Sequence, residues 1–192
     1  AMVARLDPGE TDIEPLCSHG AADVIFRALF SLPIEHHVAA QVFAAFRAHQ
    51  AGQPLINLAA LLPLPRWMPR PHSRRTRRTA DRIRTLIRDL VQARLAAIAA
   101  GDPPDDLATK IMTTPDPQTG RSFDAAEMTD QVAVFFLAGH ETGAAALAWA
   151  LWLLAAHPDW QDRVAAEGAV LGCDFSAASR LPVTRAVFRE AL

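Results

Sequence analysis

From Asp124 to Ala156 the sequence carries no proline, and from Val132 onward its titratable side chains are His140 and Glu141 alone. Read as a single helix, this run is about 48 Å long at the usual rise per residue, which is long for a globular helix. Its start is marked. Asp124-Ala125-Ala126-Glu127 has the spacing of a capping box, with Asp124 accepting from the third amide and Glu127 reaching back. Its end is marked too, because His157 precedes Pro158 and is pushed out of helical geometry. A helix that is apolar all round is a membrane span or the spine of a large core. Glu141 at mid-length is costly in lipid, and no basic flanks accompany it, so a core spine is expected and no transmembrane segment.

At the centre of this helix small side chains gather. Ala138, Thr142 and Ala146 are four apart, with Gly139 and Gly143 beside them, and such a line lets a flat, bulky group lie against the backbone. The Thr142 hydroxyl can bond the Ala138 carbonyl one turn back. Gly139 weakens the same turn, making it a candidate for distortion. A buried Glu141 would need a polar contact or water. The structural alternative is helix packing through small residues, with Glu141 in an ion pair.

Leu137-Ala138-Gly139-His140-Glu141-Thr142 resembles the central-helix signature of the cytochrome P-450 family, Ala/Gly-Gly-x-Asp/Glu-Thr-Thr/Ser. The flanks agree in order and spacing. Residues 153–158 with Gln161, Asp162, Arg163, Val164 and Glu167 are similar to the end of that helix and the next one. Residues 181–192 are similar to helix K, while 105–107 and 116–120 are similar to the short helix and turn before the central helix. Residues 23–30 resemble helix E.

The resemblance implies an all-α fold: the central helical part of the cytochrome P-450 fold, lacking the N-terminal β region and the C-terminal haem-cysteine region. Residues 1–192 would then be one helical fragment of a single domain. The parent would be a haem-thiolate monooxygenase that activates dioxygen on haem iron and oxidises an apolar small molecule. In that resemblance Thr142 holds the bound oxygen and orders the water that protonates it, and Glu141 belongs to the proton path. Ala138, Gly139, Thr142 and Ala146 face the haem, Phe135 and Leu137 line the substrate side, and Glu190 begins the Glu-x-x-Arg pair of helix K. Three departures follow. Gly143 stands where the family has Thr or Ser, the chain stops at Leu192 before the Arg, and the cysteine loop is absent. The fragment alone is therefore expected to be inactive and to hold no haem stably. No residue is assigned as a metal ligand.

The remaining chain supports an all-α reading. It is Ala-rich, with one Lys and no Tyr, and 51% hydrophobic residues over 192 positions can bury a sizeable core. Residues 11–32 carry a helix signal, with Val24, Ile25, Ala28, Leu29 and Leu32 as the apolar set. Glu35 to Ala51 reads as a second helix on Val38, Val42, Ala45 and Phe46, stopped by Gly52. His36 and His37 are adjacent, so on a helix they diverge and make a poor metal pair. Leu55 to Pro71 holds four prolines among Leu, Trp and Met and cannot be one helix. The resemblance places it as the flap over the substrate entrance.

Arg residues cluster from Arg66 to Arg88, opposed by Asp81 alone. Such a run can mark a nucleic-acid surface. Ile83, Leu86, Ile87, Leu90, Val91, Leu95 and Ile98 recur at helical spacing, so the arginines are expected on the solvated face of a long helix. Asp105 to Met112 reads as a short helix, Pro115 to Gly120 as a turn, and Pro158 and Pro182 as helix starts. Neither Cys17 nor Cys173 sits in a zinc or redox spacing, and neither is assigned as an iron ligand.

A net charge of −2 gives no global attraction to nucleic acid, and Ala1 to Leu6 lack the apolar run of a signal peptide, so a cytoplasmic location is expected. The parent's partners would be an apolar substrate and an electron-transfer protein, with no nucleic acid. Two other readings stand beside it. One is a helical ligand- or nucleic-acid-binding regulator. The other is an inactive self-associating fragment, a homodimer or domain swap burying residues 132–156.

Overall fold

The computed structural model describes residues 12–52, 74–171 and 180–192. The proline-rich stretch 55–71 and Cys173 lie outside the described residues. Among the described residues all regular structure is helical: α1 (Ile13–Phe30), α2 (His37–Ala51), α3 (Arg74–Ala99), α4 (Leu107–Thr113), α5 (Ala125–Ala156), α6 (Pro158–Leu171) and α7 (Pro182–Glu190). The all-α expectation holds. The chain divides into two compact units, one of residues 1–21 with 138–192 and one of 22–137.

In the 22–137 unit the core forms around Phe136, which is 1% exposed. Its ring lies 5.1 Å from that of Phe26 on α1 and 4.4 Å from that of Phe46 on α2. Ile83, Ile87, Leu90 and Val91 bring α3 into the same core, and Met128 and Val132 bring α5. The stripe read for α3 is thus the buried one, and Arg77, Arg78, Arg82, Arg84 and Arg88 lie on the exposed face.

One sequence stripe and one helix start are corrected. From residue 22 to its end α1 buries Ala22, Phe26, Leu29 and Phe30, whereas Val24 and Ala28 face solvent. Helix α1 is apolar on several sides, so its periodicity did not select a face. Helix α2 starts at His37 instead of Glu35 and buries Ala39 and Phe43 alongside Val42, Ala45 and Phe46, with Val38 half-buried.

One buried ion pair ties three segments of this unit together. Arg94 Nη2 approaches Asp106 Oδ2 at 2.6 Å, with side chains 7% and 2% exposed. The aligned hydrogen bond of that nitrogen goes to the Phe30 carbonyl at 2.9 Å, an oxygen left unpaired at the C-terminus of α1. Asp106 Oδ1 meanwhile accepts from Thr109 N at 3.0 Å and caps α4. A guanidinium serves here because it is always charged and donates in several directions.

Helix α5 runs over the predicted span. Asp124 Oδ1 accepts from the amides of Ala126 and Glu127, and Glu127 Oε2 accepts from the Asp124 amide, so the capping box forms as read. Arg121 holds Glu127 from outside at 2.6 Å. By length and composition α5 could cross a membrane, a test that core helices of soluble proteins also pass.

In the other unit α6 and α7 are joined by one carboxylate. Glu167 Oε1 accepts from Val183 N, and its Oε2 accepts from Thr184 N and Thr184 Oγ1, at 2.7–2.9 Å. These are the open amides of the first turn of α7, which Leu181 leaves without a side-chain cap. Burial works against the charged form, yet the three donors hold the Glu167 carboxyl below its ordinary value.

Candidate functional site

The centre of α5 is continuous helix, and the hydrogen bond expected of Thr142 is present. Its Oγ1 donates to the Ala138 carbonyl at 2.5 Å. The turn stays helical, so the distortion read as possible at Gly139 and Thr142 does not occur, and the hydroxyl bonds back without opening the helix.

Exposure along α5 defines a stripe. Val134, Ala138, Glu141, Thr142, Ala145, Trp149 and Trp152 are exposed. They recur at steps of three and four, which keeps them on one side of a helix. Ala138, Gly139 and Thr142 are thus accessible together, with Glu141 beside them. Ala146 is not with them: it is 5% exposed and faces inward. Two steps of four residues rotate a position by about 80°, so Ala145 continues the small-residue line instead. Wheel arithmetic on the sequence alone would have found Ala145.

Glu141 is exposed, whereas its neighbour His140 is 1% exposed, so the titratable group enclosed by protein is the imidazole. Position 141 falls on the open stripe, where the carboxylate meets water, and position 140 on the packed side. A Cβ added at Gly143 would meet Ala21 Cβ at 3.8 Å, ordinary contact, so nothing in this packing demands glycine there.

Phe135 and Leu137 are 44% and 47% exposed. Leu137 and Val134 wall a hollow that α2 and α3 complete with Phe46, His49, Ile83 and Arg84. Across this hollow's rim Arg84 Nη2 meets Asp130 Oδ1 at 2.7 Å. In the 138–192 unit a second hollow, of ≈ 370 Å³, lies among Leu153, Leu154, His157, Trp160, Val187 and Glu190. Glu190 is the last residue of α7 and is exposed. Trp149 and Trp152 pack edge to face at 5.6 Å while remaining largely open.

Among the described residues no group of three His, Cys, Asp or Glu side chains could hold a metal. Cys17 is fully buried. Desolvation, with the charge of Glu14 added, pushes its thiol above the ordinary value, which disfavours a thiolate ligand. What the site offers is an apolar, small-residue face with a hydroxyl and a carboxylate at its middle.

The Cytochrome P450 family model matches residues 4–192. Cyclooctat-9-en-7-ol 5-monooxygenase of Streptomyces melanosporofaciens is 31% identical over 168 residues, 87% of this chain and 36% of that protein. Cytochrome P450 72A13 of Arabidopsis thaliana is 31% identical over 82% of this chain and 31% of that protein. The chain therefore spans about a third of the length of these relatives. Among solved structures, the heme domain of cytochrome P450DA superposes with a TM-score of 0.73 at 22% identity, over 100% of this chain and 42% of that one. A second cytochrome P450, CYP102L1, superposes at 0.71 with 25% identity, over 95% of this chain and 42% of that one.

Proposed function

This chain belongs to the cytochrome P450 family, and on that premise we propose that it forms the distal, oxygen-side wall of a haem monooxygenase acting on an apolar small molecule. The observation that carries the reading is the exposed line Ala138, Thr142 and Ala145 with Glu141 alongside. Haem, when bound, supplies the oxidising chemistry. Ala138, Gly139, Thr142 and Ala145 would lie against it, since methyl groups and hydrogen allow close approach of a ring. Ala146, also read as haem-facing, supports that wall from within the helix packing.

Thr142 presents a hydroxyl that is already donating to Ala138, so its oxygen lone pairs are turned outward as acceptors for a water. Glu141 on the open stripe can take a proton from solvent and return it through that water. Phe135 and Leu137 supply the apolar side of the substrate space. The Streptomyces relative is a cyclooctat-9-en-7-ol 5-monooxygenase, which supports a hydrocarbon skeleton as substrate class here. An electron-transfer partner follows from the same chemistry. The chain alone brings no suited thiolate among its described residues, and on this reading it is inactive by itself.

The test is optical. The haem-loaded protein that carries this chain is reduced under carbon monoxide and titrated with a hydrocarbon substrate. A thiolate-type Soret band that shifts with substrate before reduction is expected; a haem-loaded protein with neither property overturns the proposal. A second reading rests on the open apolar side chains of α5, Trp149 and Trp152 at 56% and 59% exposure. On that reading the chain alone pairs with a second copy through residues 132–156. A monomer by sedimentation at micromolar concentration would sink it.

A further inference from the structure

The buried ion pair of the 22–137 unit leaves polar atoms that it does not satisfy. Arg94 Nε, Asp106 Oδ2 and Thr109 Oγ1 are each shut off from solvent and carry no hydrogen bond among the described residues. The Arg94 and Asp106 side chains are 7% and 2% exposed. Buried polar groups in native proteins are paired, with protein or with ordered water, and each one left over asks for a partner.

Measured contacts tie all three atoms to one carboxylate. Arg94 Nη2 lies 2.6 Å from Asp106 Oδ2, and Nε is bonded to the same guanidinium carbon as Nη2. The aligned bond of Nη2 goes to the Phe30 carbonyl, so Oδ2 has a charge contact without a directed hydrogen. Asp106 Oδ1 accepts from the Thr109 amide at 3.0 Å, which brings the hydroxyl of that residue to the same carboxylate. What the atoms lack is complementary. Nε–H needs an acceptor, Oδ2 needs a donor, and a threonine hydroxyl can serve as either. Guanidinium and carboxylate cancel, so an added ion would bring uncompensated charge into an enclosed place. The ligand that fits is neutral, small, and both donor and acceptor.

We propose that Arg94 Nε, Asp106 Oδ2 and Thr109 Oγ1 bind one long-lived water, which completes the junction of α1, α3 and α4. Its oxygen accepts from Nε–H, and its hydrogens go to Oδ2 and Oγ1. Buried waters make about three such bonds, so the three atoms are a full set. The site is independent of the haem-side reading, because none of its residues belongs to α5.

The experiment uses the full chain with ¹⁵N-labelled arginine, and far-UV circular dichroism checks folding. Magnetisation transfer from solvent is read at Arg94 Hε. Oxygen-17 relaxation dispersion of the solvent counts waters held longer than the protein tumbles, and proton exchange does not affect it. The expected result is a water cross peak at Arg94 Hε with the sign of a rigidly held molecule. Thr109→Val keeps the branched shape without the hydroxyl and should lower the dispersion amplitude by about one water. Thr109→Ser should keep it. Arg94 Hε without a water cross peak overturns the proposal, and so does an amplitude that the valine variant leaves unchanged. Exchanging chloride for sulfate should alter neither reading; a change would make the ligand an anion and overturn it too. If the valine variant does not fold, the cross peak in the unaltered chain decides.

Discussion

Thr142 Oγ1 and the Ala138 carbonyl oxygen lie 2.5 Å apart across one turn of α5, the hydroxyl donating and the carbonyl accepting. The contact fixes the rotamer of the one hydroxyl on the open small-residue stripe. It also directs the lone pairs of that oxygen away from the helix, where a water can bind. In the haem-loaded protein, Thr142→Val keeps the branched shape and removes the hydroxyl. Product formed per electron consumed should fall about a hundredfold, with the carbon monoxide spectrum unchanged. Thr142→Ser should retain most of the yield. Folding stability should move by no more than about 1 kcal/mol, because the lost bond is a single exposed one. Equal product yield from the valine variant would remove Thr142 from the proton path.

Two arginines of α3, Arg84 and Arg94, should respond differently to loss. Arg94 and Asp106 are almost fully enclosed, and Arg84 and Asp130 have side chains 65% and 60% exposed. Arg94→Ala leaves the Asp106 carboxylate inside protein without its counter-charge and should cost about 3–5 kcal/mol in urea unfolding. Arg84→Ala should cost about 0–1 kcal/mol and less still at high salt. The double change Arg94→Met with Asp106→Asn removes both charges while keeping an acceptor for the Thr109 amide. It should recover most of the stability lost in the single variant. A small loss from Arg94→Ala would mean that water reaches the pair.

The same pair shows where sequence reasoning stops. The Asp124–Glu127 capping box and the Thr142–Ala138 bond join residues three or four apart, so helix geometry alone places their atoms within reach. Arg94 joins Phe30 and Asp106, and Glu167 joins Val183 and Thr184, through folding of separated segments. No local spacing announces those partners. Wheel position puts Arg94 with Ile87, Leu90 and Val91 on the buried side, but that periodicity names neither of its partners. Helix α1 failed for a different reason: with apolar residues on most sides, Val24 and Phe26 compete as core candidates, and the ring of Phe136 decides between them. On α5 a step of four reads Ala138, Thr142 and Ala146 as one line, whereas exposure continues that line through Ala145.

Glu167 makes the seating of α7 dependent on pH. Its carboxyl is held below the ordinary value by hydrogen bonds from Thr184 and Val183 that outweigh the effect of burial. A depressed folded-state value means that its contribution is complete above the unfolded-state value and is lost as pH falls through the folded-state one. Protonation removes acceptor capacity facing three donors, so the first turn of α7 should open in acid while the capped, core-packed start of α5 stays closed. Hydrogen exchange can follow both. Protection of the Val183 and Thr184 amides should fall between neutral pH and the acid side of the carboxylate range, and protection at Val132 should hold over the same interval. Glu167→Gln presents one amide oxygen to the same donors at every pH. It should show reduced protection at Val183 and Thr184 already at neutral pH and no further loss on acidification. If the wild-type amides keep their protection down to the acid limit, or if the glutamine variant loses protection in parallel with the wild type, the carboxylate is not what seats α7.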